Sequence, residues 1–153
     1  MHLLAPRKSE LAGLDLWASV AVGVEECAAA AERHSELVLG DADEPVVLVV
    51  DDLDELDNTA AALPLQTVVH RGRDRRLRVV AAVERATALS FSQLLDQLRR
   101  EKHGLLLDPN LLSDGDVFGV QLPRRAKMSF PPGRGFLVDR GAFELVQVGL
   151  PDS

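Results

Sequence analysis

The stretch Val46-Val47-Leu48-Val49-Val50-Asp51-Asp52 decides the fold of this chain. Its apolar residues are mostly β-branched and do not alternate with polar ones, which is typical of a strand buried on both faces of a parallel sheet. The carboxyl ends of such strands form the edge of the sheet where open α/β folds bind ligands. We therefore predict a buried parallel strand that presents Asp51 and Asp52 at that edge.

Strands and helices alternate along most of the chain. Apolar runs predict three further strands, at 2–5, 77–83 and 105–107. Helical spacing predicts helices at 24–39 and 91–102, with Ser90 as the N-cap of the second, and a helix or a helix plus loop between 54 and 70. This order predicts an α/β domain whose mostly parallel sheet has helices on both faces.

The tail of the chain follows a different pattern. Two apolar runs, at 136–138 and 143–148, are separated by Asp139-Arg140-Gly141-Ala142, a connection of hairpin length. We therefore expect a C-terminal antiparallel hairpin at the edge of the sheet.

Composition excludes several classes of protein. The 153 residues suffice for one domain with its own core. A net charge of −7 argues against a protein that coats duplex DNA, and the absence of tyrosine weakens any base-stacking platform. The single cysteine, the lack of a signal peptide and the lack of any run approaching roughly 18 apolar residues predict a cytoplasmic protein with no direct membrane insertion.

The chain lacks the residues that several kinds of catalysis need. The histidines lie far apart in sequence, so no local metal-binding pair exists, and no serine lies in a G-x-S-x-G elbow. Cys27 lies in an alanine-rich predicted helix, where a buried, inert thiol is the expected state. Hydrolase chemistry of the serine or cysteine type is therefore not indicated.

The two acids that follow the buried strand allow three interpretations. Asp51 could hold Mg²⁺ through water while Asp52 orients or deprotonates an attacking water, which is the Walker B arrangement of P-loop NTPases. Alternatively, Asp52 or Asp54 only caps the following helix. A receiver-like phosphoacceptor domain is a minor alternative, because Asp108 also follows a predicted strand. That chemistry needs a lysine on a later strand, whereas Lys127 lies in a proline-flanked segment.

Several blocks, taken in order, resemble the C-terminal part of an FtsK/SpoIIIE-type motor domain of the HerA/FtsK superfamily, and especially an ATPase domain of the type VII secretion ATPases EccC and EssC. The blocks lie at 5–11, 40–52, 72–73, 77–85, 104–107, 118–119, 132–138 and 145–148. The resemblance implies a RecA-like P-loop NTPase core that is truncated at its N-terminal side. Residues 1–153 would then form one partial FtsK/SpoIIIE-like domain.

The resemblance also implies roles for individual residues. Asp51 matches the Walker B acid linked to Mg²⁺ through water, and Asp52 stands where the family usually has the catalytic glutamate. Because aspartate is one methylene shorter, weak or absent hydrolysis is expected. Arg73 matches an arginine finger presented to a neighbouring subunit; the alternative is one solvated member of a five-arginine cluster. Glu84 and Arg85 match a polar pair that is usually glutamine and arginine.

A loop near the C-terminus matches a further part of the family's nucleotide site. Pro132, Gly133, Arg134 and Gly135 resemble the loop that helps to wall the nucleotide base. A bare G-x-G is, however, most often only a turn.

The largest departure from the family concerns the phosphate loop. No G-x-x-x-x-G-K-[ST] occurs, and no glycine is followed by lysine. Lys8-Ser9 follows Pro6-Arg7 rather than glycine, so it cannot form the nest of amides that cradles phosphates. ATP and Mg²⁺ are therefore expected only if a P-loop is supplied, and the chain alone is not expected to be a competent ATPase.

Two functions follow from the resemblance. In the first, an ATPase-like domain recognises a substrate or partner in protein export. In the second, the chain is a fragment of an active ATP-hydrolysing DNA or protein translocase ring. The expected partners are other ATPase domains or subunits of the motor and a secreted protein, with DNA disfavoured by the net charge. The expected location is the cytoplasm, either free or tethered to the inner face of the membrane through a larger protein.

Overall fold

The buried strand predicted at 46–50 lies inside a four-stranded parallel sheet. The computed structural model describes residues 1–40, 45–72, 74–123 and 128–149. Contacts divide the chain into two units, Met1–Gln97 and Leu98–Ser153, and the parallel sheet belongs to the first. The assignment of residues 1–153 to one partial domain stays a prediction.

The parallel sheet has the strand order β2-β1-β3-β4. Its strands are β1 (His2–Ala5), β2 (Ser19–Val22), β3 (Val46–Val50) and β4 (Leu77–Ala81). The predicted strands at the positions of β1, β3 and β4 are confirmed, although β4 ends two residues before the predicted boundary at Val83. The sequence did not indicate β2, because this edge strand has four residues and only Ala21 is buried.

Two helices pack against this sheet and against each other. The first, α1 (Val24–Leu39), has the predicted bounds and contacts β1 and β2. The second, α2 (Ala62–Gly72), contacts β4 and follows a short 3-10 helix at Leu53–Leu56. Cys27 of α1 is buried as predicted, and burial raises the pKa of its thiol. The thiol is therefore protonated at neutral pH, as expected of an inert cysteine.

The third helix is shorter than predicted. It is α3 (Gln93–Arg99), where the sequence predicted a helix over 91–102. The prediction of Ser90 as its N-cap was wrong. Ser92 caps the helix instead, since its Oγ accepts a hydrogen bond from the backbone N–H of Leu95 at 3.1 Å. The same hydroxyl donates to the carboxylate of Asp57, which ties the start of α3 to the loop before α2.

The second unit contains a three-stranded antiparallel sheet in the order β5-β6-β7. Its strands are β5 (His103–Leu107), β6 (Arg134–Asp139) and β7 (Ala142–Gln147). The predicted C-terminal hairpin is confirmed, with Arg140 and Gly141 both at positive φ in its turn. Its predicted place at the edge of the parallel sheet was wrong, because the hairpin joins β5 in a separate sheet. Strand β5 pairs with β6 rather than with the parallel sheet. A small core under this sheet contains Val120, Leu122, Phe136 and Val138.

No helix within the described ranges is long and apolar enough to cross a membrane.

Two histidines meet where α1 packs on β1. His34 is buried, and its Nδ1 lies 2.7 Å from the carbonyl oxygen of Ala30, so this nitrogen is the donor. The Nδ1 of His2 lies 2.7 Å from Oγ of Ser19. The two rings meet edge to face with their centroids 4.8 Å apart. Burial, and next the nearby His34, lower the pKa of His2.

We expect the protein to lose stability as the pH falls below about 6.5, the ordinary histidine pKa. Because the folded-state pKa of His2 is lowered, the unfolded chain binds more protons in this range. The contribution of His2 is therefore complete above the unfolded pKa and is lost as the pH falls through the folded one. Melting temperatures measured between pH 7.5 and pH 5 should fall less steeply for His2→Gln than for the wild type. Equal slopes would contradict the assignment.

Candidate functional site

The candidate site lies where β1, β3 and β4 end side by side. The register aligns Leu4 with Val50 and Val50 with Ala81, so the three strands end at one edge of the sheet. Beyond the strands, the backbone N–H of Asp51 donates to the carbonyl oxygen of Leu4, and that of Ala82 donates to Val50, both at 2.9 Å. The predicted position of Asp51 and Asp52 at the carboxyl edge of the sheet therefore agrees with the structure.

Asp52 occupies a turn that few residues adopt. Its backbone is left-handed, with φ 48° and ψ 52°, a region in which aspartate is one of the few tolerated non-glycine residues. The residues on both sides are fixed, because Asp51 donates its N–H to Leu4 of β1 and Leu53 donates its N–H to Ala82, each at 2.9 Å. The turn thus holds Asp52 at a defined position between the ends of β1 and β4.

The side chain of Asp52 is engaged by Arg7, which follows β1. The Nη2 and Nε atoms of Arg7 lie 3.0 and 3.2 Å from Oδ2 of Asp52. The remaining Nη1 lies 3.2 Å from Oε1 of Glu55. The hydrogen bond and the charge of Asp52, followed by the charge of Glu55, raise the pKa of Arg7. The second acid of the pair is therefore already ion-paired within the chain.

The other acids of this turn have different surroundings. Asp54 accepts a hydrogen bond on Oδ1 from the backbone N–H of Glu84 at 3.3 Å. Asp51 is half-buried, and no group in the described ranges forms a hydrogen bond or ion pair with its carboxylate. Asp52 precedes the 3-10 helix but makes no side-chain cap bond. Neither Asp52 nor Asp54 acts as a helix cap, so that alternative was wrong.

The structure brings two further predicted residues, Glu84 and Arg85, to the segment after β4. Glu84 bonds to Asp54, and Arg85 follows it directly on the segment after β4. Arg73, the arginine-finger candidate, lies outside the described residues. The roles predicted for Arg73 and Arg85 stay predictions.

The loop predicted to wall a nucleotide base belongs to the second unit, where it enters β6. Gly133 has φ +80°, and its carbonyl oxygen accepts a hydrogen bond from Val148 at 2.8 Å. Pro132 accepts a bond from the side-chain amide of Gln147 at 3.0 Å. Arg134 is the first residue of β6. The hairpin therefore engages the carbonyl oxygens of Pro132 and Gly133, and a role of this loop in base binding stays a prediction.

Arg7 is the site residue that the sequence reasoning missed. It was identified only as part of a block after the first strand. A usable signal existed, because an arginine two residues beyond one parallel strand can reach acids that follow the neighbouring strand. Finding it required the knowledge that β1 and β3 are neighbours.

The carboxylates present fit a magnesium ion only in part. Mg²⁺ usually takes one or two carboxylates and completes its shell with water and substrate phosphates. Asp51 fits this description, since its carboxylate is not engaged by another described group. Asp52 does not, because Arg7 holds it. Among the described residues, no group of three or more His, Cys, Asp or Glu side chains is arranged to hold a metal ion.

No protein-family model matches the chain, and no curated protein matches it by sequence. Solved structures do match. Thermomonospora curvata EccC (ATPases 2 and 3), in complex with a signal sequence peptide, matches with a TM-score of 0.71 and 20% identity over 99% of this chain. The cytoplasmic domain of the Thermomonospora curvata type VII secretion ATPase EccC matches with 0.70 and 19% over 99%. The cytoplasmic domain of EssC matches with 0.67 and 18% over 96%.

The chain spans 31%, 20% and 33% of the length of these three solved chains, respectively. At these identities the comparison concerns the fold. The chain has the fold of EccC and EssC ATPase domains, and the α/β architecture predicted from the resemblance is confirmed.

Proposed function

We propose that this chain is an ATPase-like domain of a type VII secretion motor that does not hold nucleotide by itself and acts by recognising a partner or a secreted substrate. The observation that carries the proposal is the ion pair between Arg7 and Asp52. Asp52 stands at the position of the catalytic acid, and its carboxylate is already neutralised within the chain. A free carboxylate is what activation of an attacking water would require.

The sequence supports the same conclusion from the phosphate side. The 153 residues contain no P-loop, whose backbone amides would cradle the phosphates. Asp52 also has one methylene less than the glutamate usual in the family. This chain alone therefore supplies Asp51 as a Mg²⁺ ligand through water, but neither the phosphate cradle nor a free base. If a P-loop were supplied, ATP and Mg²⁺ would complete the site at Asp51.

A role in recognition is supported by the fold and by the surface. One structure with the same fold contains a signal sequence peptide, and the others are cytoplasmic domains of secretion ATPases. In this chain the side chain of Phe91 is fully exposed, and Leu89, two residues earlier in the sequence, is 51% exposed. Such apolar groups are available to a partner. The proposed partners are other ATPase domains of the motor and a secreted protein, in a cytoplasmic setting that is free or tethered to a membrane.

Isothermal titration of the purified chain with MgATP tests this proposal. We expect no binding heat up to about 1 mM nucleotide, because without a P-loop nothing in the chain replaces the hydration of the phosphates. MgADP is titrated as a second ligand, because a loop that binds only the base would bind MgATP and MgADP alike. Binding of MgATP in the micromolar range would overturn the proposal.

One observation favours a second function, in which the chain is part of an active ATP-hydrolysing ring. The carboxylate of Asp51 is free of hydrogen bonds from other described groups, and Arg85 lies on the segment that bonds to the same turn. Asp51, Arg85 and Arg73 would then be working residues of a site completed by a P-loop from other sequence. The titration of this chain alone does not separate the two functions, because the second also needs a P-loop from other sequence. Arg73→Ala in the complete protein tests the second function: we expect it to abolish the ATPase activity of the ring, and unchanged turnover would remove Arg73 from the mechanism.

A further inference from the structure

Strand β7 has an outer edge, the side away from β6, that lacks a pairing partner among the described residues. Hydrogen bonds alternate along the antiparallel pair of β6 and β7, and Val148 continues the pattern by donating its N–H to Gly133 at 2.8 Å. The same alternation turns the N–H and C=O groups of Phe143, Leu145 and Gln147 away from β6. We propose that this edge pairs antiparallel with the same edge of a second copy of the chain, around a two-fold axis at Leu145.

The other outer strands of the two sheets have features that protect an edge from pairing. Strand β2 has only four residues, and β4 contains the exposed Arg78. Lys102 precedes β5, and Pro109 follows it closely. Short length, charge and proline are the means by which natural edge strands avoid pairing with another chain. Strand β7 has six residues and contains no proline, glycine, lysine or arginine, so it is the least protected of these edges.

The side chains of β7 leave the small core of the second unit open on this side. Phe143 lies opposite Val138 of β6. Leu145 lies opposite Phe136, and both of these partners belong to the core. Residues directly opposite one another share a face of the sheet, yet Phe143 and Leu145 remain 38% and 47% exposed. Pairing through β7 would set Leu145 against the same residue of the second copy and make the two cores continuous.

Charge and strand length select one register for this pair. The outward groups belong to alternate residues, so only registers that place these residues opposite one another can form the bonds. With Glu144 opposite itself, two like charges would meet directly, which disfavours that register. With Val146 opposite itself, only residues 145–147 of each β7 would pair. With Leu145 opposite itself, residues 143–147 of each copy pair and Glu144 faces Val146.

Sedimentation equilibrium and hydrogen exchange on the whole chain test this association. We expect monomer at about 5 µM and mostly dimer by about 200 µM, because a short edge pairing forms a small and weak interface. At the higher concentration the amides of Phe143, Leu145 and Gln147 should exchange at least about threefold more slowly, in proportion to the loss of free monomer. The amides of Glu144 and Val146 already bond to β6 and should change little.

Variants at two positions test the edge and the register. Leu145→Pro removes the central outward donor of both copies but no bond to β6, and it should weaken dimerisation at least about tenfold. Val146→Lys and Val146→Glu are a matched pair at the position that faces Glu144 of the second copy. Val146→Lys should dimerise at least about tenfold more tightly than Val146→Glu at neutral pH, because two favourable charge pairs replace two unfavourable ones.

A wild-type chain that stays monomeric at about 200 µM would overturn the proposal, and this is the result expected if the edge instead takes an extended segment of another protein. Equal dimerisation of Val146→Lys and Val146→Glu, or unchanged exchange of the outward amides in a dimer, would also overturn it, because such a dimer uses another surface. If Leu145→Pro does not fold, the two Val146 variants decide. Dimerisation involves no nucleotide, so its failure would leave the proposed function standing, whereas MgATP binding would remove the proposed function alone.

Discussion

Replacement of Gly135 with alanine is expected to lower the free energy of unfolding of the second unit by about 2 kcal/mol or more, in the upper part of the range for overpacked sites. A Cβ atom at Gly135 would overlap the carbonyl oxygen of Leu106 and lie 2.9 Å from its carbonyl carbon. These are backbone atoms of the paired strand β5, so no side-chain rotation relieves the overlap. The variant must separate β5 from β6 or shift their register.

The effect can be located within the unit by hydrogen exchange. Amides of β5 and β6 should exchange faster in Gly135→Ala, while those of β1 and β3 in the other unit should not change. Gly149→Ala is the control in the same unit, because no atom lies within 4 Å of a Cβ built there. The same stability in both variants would show that the close approach at Gly135 does not limit this sheet.

This close approach explains what the glycine-containing loop does in the fold. The residues at 132–135 by themselves favoured a turn. Only the family resemblance predicted that they form part of a nucleotide site. The structure supplies a backbone reason for each glycine, a positive φ at Gly133 and a strand contact at Gly135. Neither reason can be inferred from the sequence, because both depend on which strand pairs with β6.

The elements that could be predicted are those whose signals are local. Strand β3 is an unbroken apolar run of mostly β-branched residues, and α1 combines alanine-rich helical spacing with a glycine at its end, so both have the predicted bounds. Strand β2 buries one residue and therefore lacks a hydrophobic pattern. Strand β5 was recognised as a strand, but its antiparallel partner follows it by nearly thirty residues, and local periodicity contains no information about such pairing.

The same distinction applies to the candidate site. Asp51 and Asp52 could be placed at the sheet edge, because every parallel strand ends there. The ion pair of Asp52 with Arg7 could not be predicted, because it joins residues 45 positions apart and depends on a left-handed turn. The place of the two acids was therefore predictable from the sequence, whereas the partner of Asp52 was not.

The strand that carries these acids depends on its buried face, and Leu48→Ala should show how strongly. Leu48 is fully buried in β3, in register with His2 and Val79 on the two neighbouring strands. Its truncation should cost about 2–5 kcal/mol, from lost burial and the cavity that remains. Because whole domains are stable by only about 5–15 kcal/mol, urea unfolding followed by the fluorescence of Trp17 should show a much lower midpoint at an unchanged slope.

Leu63→Ala, at a position 73% exposed on α2, should change stability by no more than about 0.5 kcal/mol. Equal midpoints for the two variants would mean that β3 is not the core of this unit.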